Sequence, residues 1–300
     1  MTFLIYALPG NHEQARALAS QLEADIGELE VRHFPDGEAY VRVLTNPAGR
    51  KVILFATLWH PDTSFLPIAF AADQLREMGV KDVGLVSPYL AYMRQDKRFK
   101  EGEAVTSATF AQLLSSAVDW LVTVDPHLHR RRSLAEIYSV PAAALHAGPI
   151  IGEWLASRME SVLLVGPDSE SEQWVKAVAD VAKAPYIILE KIRRGDLDVE
   201  VSVPHADKWP DHTPVLVDDI ISTGRTMVET VKHLQATALR PPICIGVHAV
   251  FSGDAYQALL AAGVTEIVTC NSVSHPSNSI DLSRLIASGV EGLLRNKEGQ

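Results

Sequence analysis

Short apolar runs separated by longer amphipathic stretches dominate the chain and predict an α/β fold. The apolar runs are rich in Val, Ile and Leu and rarely alternate with polar residues, which is typical of strands covered on both faces. Nine strands are predicted, at 3–8, 51–57, 83–88, 120–125, 162–167, 186–190, 214–219, 243–251 and 266–270. Helical patterns lie between them, at 11–27, 64–79, 106–118, 149–158, 170–182, 224–237 and 254–262. The repeated strand–helix–strand units favour parallel sheets flanked by helices.

Nine strands are many for a single sheet of this kind, so the pattern predicts two domains. The stretch "HAGP" interrupts it near residue 146, which gives an N-terminal domain at 1–146 and a C-terminal domain at 147–300. One segment departs from the parallel pattern. The sequence "VRHFPDGEAYVRV", residues 31–43, reads as a turn followed by an alternating strand and predicts a small antiparallel flag.

Composition narrows the class of protein without identifying it. A chain of 300 residues with 47% hydrophobic residues can bury a full core. The net charge of −10 disfavours a general nucleic-acid binder, and the absence of any long apolar run disfavours a membrane partner. The opening run "FLIYAL" is expected to be a first strand and not a signal peptide. Cys244 and Cys270 lie in strand-like runs and are expected to be buried free thiols, which favours the cytoplasm.

Five of the predicted strands are followed by charged or donor-rich residues, at the place where open α/β sheets bind ligands. The most informative is "VLVDDIISTGRTM", residues 215–227. A helix is predicted to begin near residue 224, so its N–H groups and dipole favour an anion such as phosphate. The candidate phosphate-binding residues are Ser222, Thr223, Gly224 and Thr226.

Two carboxylates directly precede this candidate phosphate-binding loop and indicate a second ligand group beside the phosphate. Asp218 and Asp219 would repel a bare phosphate, but they can accept hydrogen bonds from a pair of hydroxyl groups. A phosphate next to a diol indicates a ribose 5-phosphate moiety. The simpler alternative is a helix cap followed by an ordinary turn.

The same stretch is similar to the phosphoribosyl pyrophosphate (PRPP) binding loop of type I phosphoribosyltransferase folds. Four further stretches resemble the ribose-phosphate pyrophosphokinase family, in that family's order, over roughly residues 30 to 275. They are "FPDGEAYVRV", "PYLAYMRQDKRFKEGEAVTS", "TVDPH" and "KIRR". The resemblance implies two phosphoribosyltransferase-type domains. It also implies transfer of the diphosphoryl group of ATP to ribose 5-phosphate, with Mg²⁺, in a cytoplasmic homo-oligomer built from dimers.

The resemblance also implies catalytic and nucleotide-binding roles for particular residues. Lys191 and Arg193 match the family's catalytic pair on a flexible loop, where two cations would stabilise charge in the transition state. A charged hairpin tip is the alternative. The segment with "RQD" would bind the nucleotide, with a lysine replacing one family arginine. The residues concerned are Arg94, Gln95 and Lys97.

Metal and adenine sites are implied in the same way. His127 and Asp168 match the positions that hold the magnesium of MgATP, and His127 thereby also belongs to the ATP site. Phe34, Asp36 and Glu38 match the segment that meets the adenine of ATP bound to the adjacent subunit. The segment after His127 contains His129 and Arg130–Arg132, which are unusual for the family. Their role, whether for phosphate or for a neighbouring subunit, is left open by the sequence.

Other departures from the family pattern leave two alternative functions open. Glu170 and Ser171 stand where the family has two glycines beside a diphosphate, Glu172 follows them, and Arg225 replaces a small residue. A non-catalytic regulatory partner is one alternative. A base phosphoribosyltransferase or a kinase for a related sugar phosphate is the other. The presence of all four catalytic and metal-site residues favours an active enzyme.

Overall fold

A computed structural model describes residues 2–168, 171–193, 199–202, 208–236 and 239–299. The strands are β1 (Phe3–Ala7), β2 (Asp25–Gly27), β3 (Leu29–His33), β4 (Ala39–Val43), β5 (Lys51–Phe55), β6 (Val83–Val86), β7 (Trp120–Val124), β8 (Ala142–Leu145), β9 (Val162–Gly166), β10 (Tyr186–Ile188), β11 (Glu190–Arg193), β12 (Val199–Ser202), β13 (Thr213–Ile221), β14 (Ile243–Ala249), β15 (Glu266–Cys270) and β16 (Asn278–Ile280). The helices are α1 (His12–Leu22), α2 (Pro61–Glu77), α3 (Thr106–Ala117), α4 (Gly148–Arg158), α5 (Glu172–Ala182), α6 (Arg225–Gln235), α7 (Ala255–Ala261) and α8 (Ser283–Glu298).

The chain forms two compact units that are not simple halves. The first comprises Met1–Leu145, Ser272–Ser274 and Leu282–Gln300, and the second comprises His146–Asn271 and His275–Asp281. The C-terminal helix α8 belongs to the first unit, where it packs against α1, β7 and β8.

The first unit is built on a six-stranded parallel sheet with the order β2-β1-β5-β6-β7-β8. Its central strands are buried on both faces, as their unalternating apolar runs predict. One face packs on α2 and α3, and its core contains Leu54, Leu85, Leu75 and Phe110. This sheet and its helices confirm the predicted α/β class.

The second unit repeats this architecture with the order β10-β9-β13-β14-β15-β16, again all parallel. Leu163, Leu216 and Cys244 of its central strands pack with Val231 and Leu234 of α6. Both cysteines of the chain are buried in this sheet as thiols outside any disulfide, as expected. Among the described residues, no helix combines the length and the apolar character that crossing a membrane requires.

The flag is also present, as an antiparallel pair of β3 and β4 that runs from Leu29 opposite Val43 to His33 opposite Ala39. Its turn closes through the Phe34 N–H, which donates to the Glu38 carbonyl at 2.8 Å. Leu29, Val41 and Val43 pack on the core of the first unit, so the flag has an anchored base.

Asn11 directly precedes α1, but its side chain does not cap the helix. Its amide donates to the carbonyls of Leu8 and Pro9 and accepts the Thr57 N–H at 2.8 Å. Asn11 therefore fixes the chain at the carboxyl ends of β1 and β5.

Candidate active site

The adjacent aspartates Asp218 and Asp219 lie inside a strand that is longer than predicted. β13 continues through Asp218 and Asp219 to Ile221, whereas the sequence predicted its end at residue 219. The extension forms because Ile220 and Ile221 pair with β14, and Ile221 is buried. The following loop is therefore only three residues long, at 222–224, before α6 begins.

This short loop presents the N-terminus of α6 to solvent. Gly224 is the N-cap and has a φ of 66°, a left-handed conformation that glycine adopts without strain. The Val228 N–H donates to the Gly224 carbonyl at 2.8 Å and starts the helix. Thr223, Arg225 and Thr226 are exposed, and the first turn contains no acidic residue. The N–H groups and helix dipole are thus available to an anion.

Three carboxylates lie close enough to interact at this end of the sheet. Burial raises the pKa of Asp218 well above its ordinary value, and the charges of Asp219 and Asp168 raise it further. The Asp219 N–H donates to Asp218 Oδ1 at 3.0 Å and offsets part of this effect. Such a group is stabilised by a cation or by hydroxyl donors from a ligand.

Asp168 follows β9 and contacts Ser171, which directly precedes α5. The Asp168 carbonyl accepts hydrogen bonds from the Ser171 hydroxyl at 2.6 Å and the Ser171 N–H at 3.2 Å. Ser171 is buried and Glu172 is exposed. The Ser171 side chain thus links Asp168 to the start of α5, at a position where the family that the sequence resembles has a glycine. Glu170 lies outside the described residues.

Lys191 and Arg193 lie in β11, opposite Val201 and Val199 of β12. The two strands form a separate antiparallel pair, so Lys191 and Arg193 lie in a strand and not in the loop that the resemblance implies. Residues 194–198 lie outside the described part of the chain.

In the first unit, unusual backbone conformations cluster after the strands. His60, Tyr92, Asp125 and His127 all have positive φ values, between 35° and 61°. They follow the carboxyl ends of β5, β6 and β7, where ligands bind in this class of fold. Non-glycine residues in this region cost about 1–3 kcal/mol each and are typical of functional sites.

His127 lies immediately beyond β7 in the strained segment. Its N–H donates to the Asp125 carbonyl at 2.8 Å, and its ring packs edge-on against His129 with centroids 4.0 Å apart. The sequence predicted His127 as a metal ligand but did not predict that His129 would support its ring. Two histidines that are separated by one residue after a strand are only a weak sequence signal for a contact between their rings.

Residues 94–103, here termed the RQD loop, are organised around one carboxylate. Glu103 accepts hydrogen bonds from the N–H groups of Phe99 at 2.8 Å and Lys100 at 3.0 Å, and from Gln95 Nε2 at 3.2 Å. The Lys100 and Phe99 N–H groups lower the pKa of Glu103. Gln95 Nε2 also donates to the Lys97 carbonyl, so the amide of this predicted ATP residue shapes the loop.

Arg94 and Lys97 of the same loop are exposed, in keeping with residues that would meet a ligand. The Lys97 ammonium lies 5.1 Å from the ring centre of Phe99. Tyr92 precedes the loop, and its hydroxyl donates to Asp62, which raises the pKa of Tyr92 to about 12. No pattern in the sequence indicates this contact between the first turn of α2 and the segment after β6.

The flag tip places its three predicted adenine residues close together. Phe34 is exposed, and Asp36 Oδ1 accepts the Glu38 N–H at 3.2 Å within the turn. The Arg32 guanidinium lies 4.0 Å from the ring centre of Tyr40 and 4.8 Å from that of Phe34. Arg32 and Tyr40 face each other across the two strands, and this register is the signal that could have identified them.

Family models match both parts of the chain. Residues 3–117 match the N-terminal domain of ribose phosphate pyrophosphokinase. Residues 133–286 match the phosphoribosyl transferase domain. Together the matches include the flag, the RQD loop and the loop between β13 and α6.

Individual proteins show the same similarity along nearly their whole length. A ribose-phosphate pyrophosphokinase of Methanopyrus kandleri is 34% identical over 280 residues, covering 93% of this chain and 95% of that protein. Ribose-phosphate pyrophosphokinase 2 of Archaeoglobus fulgidus is 32% identical, covering 95% and 99%. The crystal structure of phosphoribosylpyrophosphate synthetase from Mycobacterium smegmatis covers 99% of this chain and 100% of its own with a TM-score of 0.85 at 23% identity, which shows a shared fold.

Proposed function

The chain belongs to the ribose-phosphate pyrophosphokinase family, and on this premise we propose that it transfers the diphosphoryl group of ATP to ribose 5-phosphate. The anomeric hydroxyl oxygen attacks the β-phosphorus of ATP, the bond from that phosphorus to the α–β bridging oxygen breaks, and AMP leaves. The products are PRPP and AMP. The observation that carries this proposal is the open N-terminus of α6 directly after Asp218 and Asp219.

The acceptor site is assigned to this loop. Its hydroxyls and N–H groups hold the 5-phosphate, since the helix N-terminus lacks a competing acidic side chain. Asp218 and Asp219 accept hydrogen bonds from the ribose hydroxyls. The phosphate-binding residues are Ser222, Thr223, Gly224 and Thr226.

The donor site is assigned to the first unit. Arg94, Gln95 and Lys97 of the RQD loop bind the ATP phosphates, together with the strand-end residue His127. The flag tip contributes an exposed aromatic ring at Phe34 for stacking on adenine. Asp36 and Glu38 offer carboxylates to the exocyclic amine.

The carboxylates of the second unit also fit a magnesium ion. Asp168, Asp218 and Asp219 provide the oxygen ligands that Mg²⁺ prefers, and burial together with the charges of the other two carboxylates raises the pKa of Asp218. Asp168 and His127 are assigned to the ion of MgATP. When bound, magnesium neutralises the diphosphoryl oxygens as the group is transferred.

Transition-state stabilisation is assigned to Lys191 and Arg193 of β11. Phosphoryl transfer needs aligned substrates and positive charge more than covalent assistance, and two cations supply such charge. Ser171 donates a hydrogen bond to the Asp168 carbonyl, at a position where the family has a glycine. We also assign the protein to the cytoplasm as a homo-oligomer built from dimers.

A product assay tests this function. Purified protein is incubated with ATP, Mg²⁺ and ribose 5-phosphate, and AMP and PRPP are quantified by chromatography. Equal amounts of AMP and PRPP are expected, and both should disappear when Mg²⁺ is chelated. Formation of ADP in place of AMP would indicate a sugar-phosphate kinase. ATP binding without turnover would indicate a regulatory protein.

A further inference from the structure

The arginine-rich segment after β7 contacts the RQD loop directly. Arg130 Nη1 lies 3.3 Å from both carboxylate oxygens of Asp96, the residue between Gln95 and Lys97. The Arg130 guanidinium also lies 5.7 Å from the ring centre of Phe99. Arg130 therefore contacts the loop at two positions three residues apart.

The contact between Arg130 and Asp96 matters for the loop because the Asp96 side chain is buried. Only 3% of the Asp96 side chain is exposed, compared with 37% of Arg130. A carboxylate removed from water requires a partner, and loss of that partner leaves an uncompensated charge. The loop can regain water around Asp96 only by moving away from its present position.

The next residue, Arg131, also contacts the RQD loop, but through longer hydrogen bonds. Arg131 Nη2 donates to the Asp96 carbonyl and to the Ser107 hydroxyl, each at 3.4 Å. Its Nε is buried and has no hydrogen-bond partner among the residues that the structure describes. Arg130 thus makes the ionic contact, while Arg131 makes longer contacts with the loop and the start of α3.

We propose that Arg130 is a positioning residue that holds the RQD loop in its nucleotide-binding conformation through the buried carboxylate of Asp96. The role rests on the proposed function, because Arg94, Gln95 and Lys97 of that loop are assigned to ATP. Arg130 itself does not need to touch the substrate. Its charge acts on the loop, and the loop presents the ATP-binding side chains.

This role has a specific kinetic signature. If removal of Arg130 leaves the loop in its binding conformation one tenth of the time, apparent ATP affinity falls about tenfold. The KM for ATP should rise by that factor, whereas kcat at saturating ATP and the KM for ribose 5-phosphate should change by less than about threefold. A general loss of stability would affect all three parameters together.

The test compares Arg130→Gln with Arg130→Lys and with Arg132→Gln. Lysine should restore most of the ATP affinity, because one guanidinium nitrogen makes the present contact and an ammonium can replace it. Arg132 is a matched control, since its exposed side chain is separate from the backbone N–H that donates to Glu136. Hydrogen–deuterium exchange of residues 95–103 is measured for each protein without substrates.

Faster exchange of the loop and a raised KM for ATP in Arg130→Gln alone would support the proposal. Unchanged exchange and an unchanged KM would overturn it, as would equal effects in Arg132→Gln. If Arg130→Gln does not fold, Asp96→Asn/Arg130→Gln is used, since it removes the buried charge as well. That double variant should fold and retain a raised KM for ATP, and a wild-type KM would overturn the proposal.

The substrate-free measurement separates this proposal from the proposed function. A wild-type protein that forms no PRPP contradicts the function. Exchange in the variants then still decides whether Arg130 holds the loop. Conversely, an active wild type with a loop indifferent to Arg130 leaves the function standing and removes the positioning role.

Discussion

At the scale of single residues, Asp218 lowers the stability of the folded protein and is also proposed to bind the ribose hydroxyls. Its pKa is raised by burial and by Asp219 and Asp168. Between the unfolded-state pKa and the raised folded-state value, the folded protein binds more protons than the unfolded chain. The free energy of unfolding therefore falls as pH rises through this window, and the penalty persists above it.

Asp218→Asn should accordingly stabilise the cation-free protein. At pH 8 in a chelator, we expect its melting temperature to exceed that of the wild type by a few degrees, since each kcal/mol shifts it by about 2–4 °C. The difference should shrink toward pH 4 and upon addition of Mg²⁺. Asp211→Asn, which changes an exposed carboxylate in the same unit, is the control. Equal melting temperatures at pH 8 would contradict the electrostatic cost.

The acceptor loop permits a second experiment in which two substitutions have different effects. Thr226→Val removes a proposed phosphate donor and should raise the KM for ribose 5-phosphate by roughly ten- to a hundredfold, as expected for a hydrogen bond to a charged group. Asp219→Asn should reduce turnover while phosphate affinity stays largely intact. Separate titrations with ATP and ribose 5-phosphate measure both. Loss of ATP affinity in Thr226→Val would mean that donor and acceptor sites are exchanged.

The chemical types of the proposed acceptor-site residues could be read from the sequence because these residues are close together in the chain. Asp218, Asp219 and the hydroxyls after them lie within nine residues of one another. The Asp96–Arg130 pair could not be read, because its partners are 34 positions apart and share no periodicity. Their proximity depends on β6 and β7 being neighbours in the sheet.

At the scale of elements, the buried strands were the ones that could be predicted from the sequence. The nine predicted strands are all present, because strands covered on both faces are continuous apolar runs. The missed members of the two main sheets, β2, β8 and β16, are three or four residues long and lie at sheet edges. The Ala-rich sequence of β8 gives no strand signal.

Helix α8 is absent from the predicted elements, because two glycines interrupt its apolar pattern. The structure explains one of them. A Cβ atom at Gly289 would lie 2.6 Å from Leu145 Cδ1 of β8, whereas a Cβ atom at Gly292 would meet nothing within 4 Å. Gly289 therefore allows the helix to approach the sheet edge closely.

The two glycines give opposite predictions. Gly289→Ala should lower the free energy of unfolding by about 1–3 kcal/mol through overpacking. Gly292→Ala should raise it by about 0.5–1 kcal/mol, since alanine is the better helix former. Chemical denaturation of the three proteins measures both changes. Stabilisation by Gly289→Ala would show that α8 can shift away from β8 without loss.

Strand β11 contains Lys191, whose proposed catalytic role can be tested by substitution. Lys191→Ala should lower kcat by about 10²–10³, the effect typical of losing one group that stabilises transition-state charge. Its KM for ribose 5-phosphate should change little, because the proposed contact develops only in the transition state. Steady-state kinetics decide this. A variant with near-normal turnover would remove Lys191 from the catalytic assignment.

At the scale of the whole molecule, the flag leads to a prediction about assembly. In the family that the sequence resembles, this segment meets the adenine of ATP on the adjacent subunit, and here its aromatic tip is exposed on an anchored base. We expect a homo-oligomer built from dimers. Analytical ultracentrifugation at assay concentrations tests this, and Phe34→Ala should raise the KM for ATP. A fully active monomer would contradict the assignment.

The position of α8 also has a consequence for how the protein is made. The first unit needs α8 against α1, β7 and β8, yet the ribosome synthesises α8 only after the whole second unit. At about 5–20 residues per second, the edge of the first sheet waits roughly 7–30 s for its covering helix. During that interval the nascent first unit exposes the apolar surface around Leu145. Chaperones would therefore engage the half that is made first more than the half that is made second.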